Sequence, residues 1–157
     1  MEKNSVLIEG TRFIFGTNFR GEVNKFNQNG ARIANIIIPD VAVAQQMAED
    51  GWNVKYLRDD EDGNPGEPHI KITLGYKGHT PPRVVMVTSN GNTELFEDTV
   101  SLLDSVDVLN VDVFLTPWVW DKDTGAIAAY VKSMYVTIEE DYLDQKYSAL
   151  GRAGMDD

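Results

Sequence analysis

The chain has 157 residues and no cysteine, and 25 acidic against 14 basic side chains give it a formal net charge of −11 at pH 7. This length predicts one domain with its own core, and the lack of cysteine excludes disulfides and thiolate metal sites. The net charge argues against duplex binding over the whole surface. Without a signal peptide or an apolar run of about 20 residues, we expect a cytoplasmic protein and no membrane contact.

The charges are divided unevenly along the chain. Residues 1–83 hold 10 basic and 11 acidic side chains, whereas residues 84–157 hold 4 and 14. The nearly neutral first part interleaves its cations with aromatic residues, as at Arg12-Phe13 and Lys55-Tyr56. A single nucleic-acid strand needs both groups, because its phosphates attract cations and its bases stack on flat rings.

The N-terminal third predicts two strands and a helix. Residues 12–19 have strand-like composition, Asn29-Gly30 is a strong hairpin signal, and residues 32–38 form a second strand that ends at Pro39. Asp40 is a good N-cap for a helix with apolar residues at helical spacing. Gly51 is well placed to end that helix.

The rest of the chain alternates short strands with turns. Residues 59–68 are a polar loop that contains glycine and proline. The predicted elements, in chain order, are strands at 52–57, 69–77 and 83–88, a turn at 90–92, a helix at 94–105, a strand at 111–120, a turn at 121–125, a strand at 126–138 and a terminal helix at 139–149.

About seven short strands with one or two inserted helices predict a mostly β fold, as a small and mostly antiparallel barrel or sandwich. The best match is a five-stranded Greek-key barrel of the oligonucleotide/oligosaccharide-binding (OB) type with a C-terminal helix, in which the face of strands 2 and 3 and the flanking loops hold the ligand. An α+β sandwich is the alternative. We expect residues 1–150 to form this domain and residues 151–157 a short acidic tail.

Signals for catalysis are weak. His69 and His79 are the only histidines, and their spacing is not that of a metal-binding pair; both are expected to be exposed. The acidic stretches at 59–64 and 121–125 lack the residue order of a calcium loop. Phosphate-binding and nucleophile-elbow motifs are missing. We therefore predict no enzyme, metal or cofactor, with a Mg²⁺-dependent nuclease or hydrolase built on Asp and Glu as a minor alternative.

A binding surface is better supported. The candidate phosphate contacts are Arg12, Arg20, Arg32, Lys55, Arg58, Lys71, Lys77 and Lys132, and the candidate stacking faces are Phe19, Trp52, Tyr76, Trp118, Tyr130 and Tyr135. They cannot all face one groove, since Tyr76 and Lys77 point oppositely on an ideal strand. Trp52 lies in a period-two row of the kind that is more often core.

Trp118 and Trp120 alternate with the apolar row of Val113 and Leu115, so one row should be core and the other outside. An outside row with two tryptophans would need a ligand or a partner. A strand buried on both faces would remove the anomaly, and the sequence leaves both interpretations open.

Several separated motifs resemble one family. They are Ile36-Ile37-Ile38-Pro39-Asp40, Gly51-Trp52-Asn53-Val54-Lys55-Tyr56-Leu57, Pro117-Trp118-Val119-Trp120-Asp121 and residues 129–136, Ala-Tyr-Val-Lys-Ser-Met-Tyr-Val. Over residues 18–147 the chain is similar to bacteriophage single-stranded DNA-binding proteins of the OB type. The resemblance implies sequence-tolerant coating of single-stranded DNA in replication or recombination, inside the host cytoplasm.

The resemblance also implies an acidic C-terminal tail that contacts replication or recombination proteins. Here the tail is short, ends on Asp156 and Asp157, and lacks a closing aromatic residue. A monomer and a dimer are both compatible with this pattern. The main rival function is an acidic protein-binding module, either a phage inhibitor or a DNA mimic that acts on a host protein.

Overall fold

The computed structural model describes residues 4–25, 27–78 and 80–140. Within them the elements are β1 (Val6–Thr11), β2 (Phe13–Asn18), β3 (Arg32–Ile37), α1 (Val41–Asp50), β4 (Lys55–Tyr56), β5 (Pro68–Leu74), β6 (Arg83–Thr88), β7 (Gly91–Leu95), a 3₁₀ helix (Val100–Ser105), β8 (Val108–Asp121) and β9 (Ala126–Ile138). Most of the predicted terminal helix and all of the predicted acidic tail, including Asp156 and Asp157, lie outside the described residues, as does His79.

One sheet contains all of these strands, and its main path runs β1-β8-β9-β5-β3-β2. Its two end strands, β1 and β2, are separated in the chain by Arg12 alone, so together they form one bent strand. Because this bent strand belongs to both ends of the sheet, the sheet closes into a barrel. At the bend the Ile37 amide donates to the Arg12 carbonyl over 3.2 Å. If β1 and β2 count as one strand, the order around the barrel is 1-2-3-5-4, which confirms the predicted OB-type Greek key.

The sheet is more mixed than a mostly antiparallel prediction allows. Strand β9 pairs in parallel with β5 along its first half and with β6 along its second half, whereas β8 and β9 form a long antiparallel hairpin. Strand β7 pairs antiparallel with β6, and β4 pairs antiparallel with the start of β5. A parallel neighbour requires a long crossover, and residues 75–125 provide it between β5 and β9.

The core lies inside the barrel, where apolar residues alternate along each strand. Ile70, Ile72 and Leu74 of β5 face Val131 of β9 and Leu115 of β8, and all five are buried. The row of β8 that contains Val113 and Leu115 is therefore the core row, and the row with Trp118 and Trp120 lies outside. This resolves the choice that the sequence left open.

Phe19 and Trp52 are also in the core, with 0% and 4% of their surfaces exposed, so the expectation that they stack on bases is wrong. The ring of Phe19 packs edge-on against Phe13 at a centroid distance of 5.5 Å. Trp52 bridges to Ile127 directly after α1. Both residues lie in connecting segments, Phe19 directly after β2 and Trp52 just after α1, and both are part of the core.

The predicted limits of α1 are confirmed. The side chain of Asp40 accepts hydrogen bonds from the amides of Ala42 and Val43, over 2.9 and 3.4 Å. Gly51 ends the helix in the left-handed region, with φ at 107°. A Cβ atom at Gly51 would lie 2.3 Å from the carbonyl oxygen of Gly125, so only glycine allows the helix end to pack on the β8–β9 hairpin.

One local prediction is wrong. Residues 94–105 do not form one helix, because a turn in which the Phe96 amide donates to Thr99 Oγ1 separates the end of β7 from the 3₁₀ helix. The hairpin signal at Asn29-Gly30 does mark a turn, in which the Gly30 amide donates to the Asn27 carbonyl over 3.3 Å, and this turn lies in the loop that connects the antiparallel strands β2 and β3. The side chain of Asn27 holds that loop by donating to the carbonyls of Glu22 and Ala31 and accepting from the Ala31 amide.

The same loop is tied to the 3₁₀ helix through one carboxylate. Asp104, whose side chain is 2% exposed, accepts hydrogen bonds from Thr17 Oγ1 over 2.6 Å and from the amides of Phe19 and Arg20 over 2.9 and 3.0 Å. The Arg20 guanidinium pairs with it at 3.4 Å. Asp104 therefore fixes where the loop leaves β2.

We predict that Asp104→Asn lowers the free energy of unfolding by about 2 kcal/mol, because hydrogen bonds to a buried charged acceptor weaken when the charge is lost. Urea unfolding measures this change. The control is Asp98→Asn, which makes the same substitution at an exposed site and should change stability by less than about 0.5 kcal/mol. Equal effects of the two substitutions would contradict the anchoring role of Asp104.

Candidate functional site

Four neighbouring strands present a continuous outer face. The row Ile33, Thr73, Tyr130 and Thr116 crosses β3, β5, β9 and β8 in direct register. We call outer face the set Ile33 and Asn35 on β3, His69, Lys71 and Thr73 on β5, Ala128, Tyr130 and Lys132 on β9, and Phe114, Thr116 and Trp118 on β8.

The outer face contains no carboxylate, although the chain has 25 acidic residues. Its charged members are the exposed side chains of Lys71 and Lys132. Exposed charges more than about 8 Å away are screened at physiological salt. An anion at this face therefore meets local positive charge despite the net charge of the protein.

A groove of about 560 Å³ opens at one side of the outer face. Its walls are residues 29–31 of the loop before β3, Arg32 at the start of β3, residues 73–78 at the end of β5, Thr80, Glu97, residues 116–118 of β8, and Tyr130. Five of the predicted binding residues line it, namely Arg32, Tyr76, Lys77, Trp118 and Tyr130. OB-type barrels hold oligonucleotides on the face of their second and third barrel strands and in the loop between the first and the second. In this protein those strands are β3 and β5, and that loop precedes β3.

Two aromatic rings define one wall of the groove. Trp118 and Tyr130 meet edge to face, with centroids 6.2 Å apart and an interplanar angle of 81°. Trp118 is 57% exposed, so its ring is open to a ligand. Tyr130 packs against the backbone at Gly75, where an added Cβ atom would lie 3.0 Å from Tyr130 Cε1. The missing side chain at Gly75 therefore sets the position of the Tyr130 ring.

Arg32 and Tyr76 form another part of the groove wall. The guanidinium carbon of Arg32 lies 5.8 Å from the Tyr76 ring centroid, and Arg32 also donates to the Phe19 carbonyl. Glu97 is 4.0 Å from Arg32 and is the carboxylate at this rim. Burial raises the pKa of Tyr76, Arg32 opposes that rise, and Glu97 adds to it. Arg32 is therefore partly neutralised, whereas Lys77 is exposed.

A third ring continues the outer face beyond Tyr130. The ammonium of Lys132 lies 5.6 Å from the centroid of Phe114, which is a cation–π distance. The sequence prediction missed Phe114, although it shares its row on β8 with Trp118. Trp120, which is 59% exposed, is the outermost ring of that row on the β8–β9 hairpin.

The remaining predicted residues lie away from the groove. Arg12 pairs with Glu67 at 2.9 Å beside a smaller depression, and Arg20 pairs with Asp104. Arg58 is exposed in the loop after β4, and Tyr135 is half-buried in register with Asp112. Lys55 lies across from His69, at the far end of β5.

His69 lies on a strand, as predicted, but the prediction that it is exposed is wrong, because only 8% of its surface is accessible. Desolvation lowers the pKa of His69, and the nearby charge of Lys55 lowers it further. The ring of Phe15 meets the imidazole edge-on at a centroid distance of 5.6 Å. The sequence prediction missed Phe15, which is 66% exposed; the adjacent Gly16 was a signal for an irregular strand.

Residues 4–25, 27–78 and 80–140 contain neither a cluster of metal-binding side chains nor a helix that could span a membrane. Within these ranges, no three His, Asp or Glu side chains are grouped as a metal site would require. The helices in this part of the chain are all too short or too polar to cross a membrane.

Comparison with known proteins gives one family match. A family model described as "Putative phage ssDNA-binding domain" matches residues 1–156, which is nearly the whole chain. No curated protein matches the chain.

Solved structures give the same fold. The single-stranded DNA-binding protein of bacteriophage Enc34, in complex with ssDNA, superposes with a TM-score of 0.54 at 12% identity, over 87% of this chain and 88% of that one. A C-terminal truncation of the Enc34 protein gives 0.54 at 13% identity, over 87% of each chain. A single-stranded DNA-binding protein of bacteriophage T7 gives 0.41 at 12% identity, over 92% and 97%. At these identities, the two Enc34 matches establish the fold alone.

The contact between Gly75 and Tyr130 predicts a difference between two alanine substitutions in the same groove. Gly75→Ala should lower the free energy of unfolding by about 1 kcal/mol through overpacking and shift the NMR signals of the Tyr130 ring. Gly78→Ala, whose added Cβ would meet nothing within 4 Å, should keep those signals and raise stability by about 0.5 kcal/mol. Equal shifts from both variants would show that Gly75 does not position the ring.

Proposed function

Because the chain belongs to the family of phage ssDNA-binding domains, we propose that its groove and outer face bind single-stranded DNA without strong sequence preference. The observation that carries the proposal is the open Trp118–Tyr130 pair on an acid-free sheet face. A monomeric protein rarely exposes large rings without a use for them. A sheet face that carries exposed rings and lysines and no carboxylate is what an unpaired DNA strand requires.

In the proposed complex, bases stack on Trp118 and Tyr130. Lys77 at the groove, with Lys71 and Lys132 on the outer face, pairs with phosphates. Because any base has a flat face, stacking is tolerant of sequence and contributes about 1–3 kcal/mol per base. Arg32 contributes less to phosphate binding, because its guanidinium already pairs with Glu97 and lies over the Tyr76 ring.

The biological role follows from this chemistry. We infer that the protein coats unpaired DNA during phage replication or recombination in the host cytoplasm, and that it acts by binding and not by catalysis. The exposed DNA is thereby protected from nucleases and from re-pairing. The acidic residues Asp156 and Asp157 are proposed to contact replication or recombination proteins.

The rival function, an acidic module that mimics DNA or inhibits a host protein, is not favoured. A DNA mimic needs carboxylates arranged on its binding surface, whereas the exposed aromatic face of this barrel has none. The family match also indicates a DNA-binding protein and not a DNA-like one.

Trp118→Ala is the main test of the proposal. Removing the ring should weaken binding to oligo-dT by about 1–3 kcal/mol, or roughly 5- to 150-fold, as measured by fluorescence anisotropy. The control is Phe96→Ala, which removes a 58% exposed ring that does not line the groove and should leave affinity unchanged. If wild type fails to bind oligo-dT at low salt, or if Trp118→Ala binds as tightly as wild type, the proposal is wrong.

Lys77→Gln tests the electrostatic part of the proposal. If Lys77 pairs with one phosphate, the slope of log affinity against log salt should become shallower by about 0.7. Arg58→Gln removes a cation that lies outside the groove and should keep the wild-type slope. The same slope in both variants and in wild type would remove Lys77 from the interface.

A further inference from the structure

Phe15 has an unusual backbone and an exposed ring. Its φ is +59°, and Phe15 is the non-glycine residue with positive φ among the described residues. Such a conformation is costly for a bulky side chain, and it often marks a functional position. The pairing of β2 with β3 is irregular between Ile14 and Asn18, and Phe15 lies within this irregular stretch. The ring ends 66% exposed instead of packing in the core.

The residues beside Phe15 are polar and basic. His69 lies between Ile37 of β3 and Lys55 of β4 in direct register, and the Phe15 ring contacts its imidazole. The Nδ1 atom of His69 is buried and has no hydrogen-bond partner among the described residues. An unpaired buried nitrogen on a binding protein calls for an explanation. Because Nδ1 is closed to solvent, a ligand of this imidazole would have to bind at Nε2.

The outer face connects this cluster to the groove. Along β5 the outward residues are Thr73, which lines the groove, then Lys71, then His69. At about 3.3 Å per residue, His69 lies roughly 13 Å from Thr73. Lys71 is exposed midway between them. A DNA strand that leaves the groove and follows β5 therefore passes Lys71 before it reaches Phe15.

We propose that Phe15, His69 and Lys55 form a second contact for the same DNA strand, in which a base stacks on Phe15 and a phosphate lies between His69 and Lys55. This inference rests on the proposed function, since it extends the path of a strand that is bound in the groove. Neither the ring of Phe15 nor the imidazole lines that groove, so the second contact can be removed separately.

The second contact makes binding depend on pH. The groups around His69 are Lys55 from β4, the neutral Phe15 and Ile37 from β2 and β3, and Lys71 two residues along β5. Glu67, two residues before His69, forms an ion pair with Arg12 at 2.9 Å. In the free protein, desolvation and Lys55 lower the pKa of His69. A phosphate favours the protonated imidazole, so the affinity should rise as the pH falls through and below about 6.5.

The experiment compares two oligonucleotide lengths, about four and about twelve thymidines, which lie within the range that one barrel covers. Phe15→Gly removes the ring and also suits the positive φ, since glycine adopts that conformation readily. This variant should therefore be at least as stable as wild type in urea. It should bind the short oligonucleotide normally and the long one at least about fivefold more weakly.

His69→Gln is the second variant, because glutamine is polar but does not titrate. Between pH 8 and pH 5.5 it should flatten the rise in affinity that wild type shows for the long oligonucleotide. Phe96→Ala serves as the control for both lengths.

The outcomes separate this inference from the function on which it rests. If wild type binds both lengths and Phe15→Gly matches it on the long one, the second contact does not exist and the groove remains. If wild type binds neither length, the proposed function itself fails. An unchanged pH profile in His69→Gln would overturn the role of the imidazole.

Discussion

The parallel pairing of β5 with β9 is the constraint on which the rest of the molecule depends. It places Thr73 beside Tyr130 and thereby brings the end of β5 next to the β8–β9 hairpin. The groove exists only because these distant segments meet, since Tyr130 and Trp118 lie more than 40 residues from Thr73 in the chain. The packing of the Tyr130 ring on Gly75 then fixes the wall, and Asp104 holds the loop on the opposite side.

The distribution of charge in space differs from its distribution along the chain. The acidic half of the sequence supplies β8 and β9, and with them Trp118 and Tyr130. Of the ten carboxylates of that half that the structure describes, seven lie outside the strands, for example Asp98, Asp104 and Asp123. Strand alternation and turn placement therefore create an acid-free face within a protein of net charge −11. Screening over about 8 Å lets that face act on its own.

Much of the fold could be predicted from local pattern. The period-two alternation gave the strands, and Asp40 and Gly51 gave the limits of α1, because caps and alternation depend on neighbouring residues. The candidate site could be predicted in part: Arg32, Tyr76, Lys77, Trp118 and Tyr130 do meet at one groove.

The errors have a common physical cause. Alternation shows that a strand has two faces but not which of them is buried, so Phe19 and Trp52 were expected to stack on bases although they belong to the core. Phe15 was missed because its exposure depends on a backbone distortion that the pairing of β2 with β3 imposes. Long-range pairing decides both cases, and no local pattern contains it.

The most direct test of the central claim is ultraviolet crosslinking of oligo-dT to the protein, with the crosslinked residues mapped by mass spectrometry. We predict crosslinks at Trp118 and Tyr130 that disappear at high salt. Crosslinks confined to the acidic segment around β7 and the 3₁₀ helix, with none on the outer face or in the groove, would contradict it.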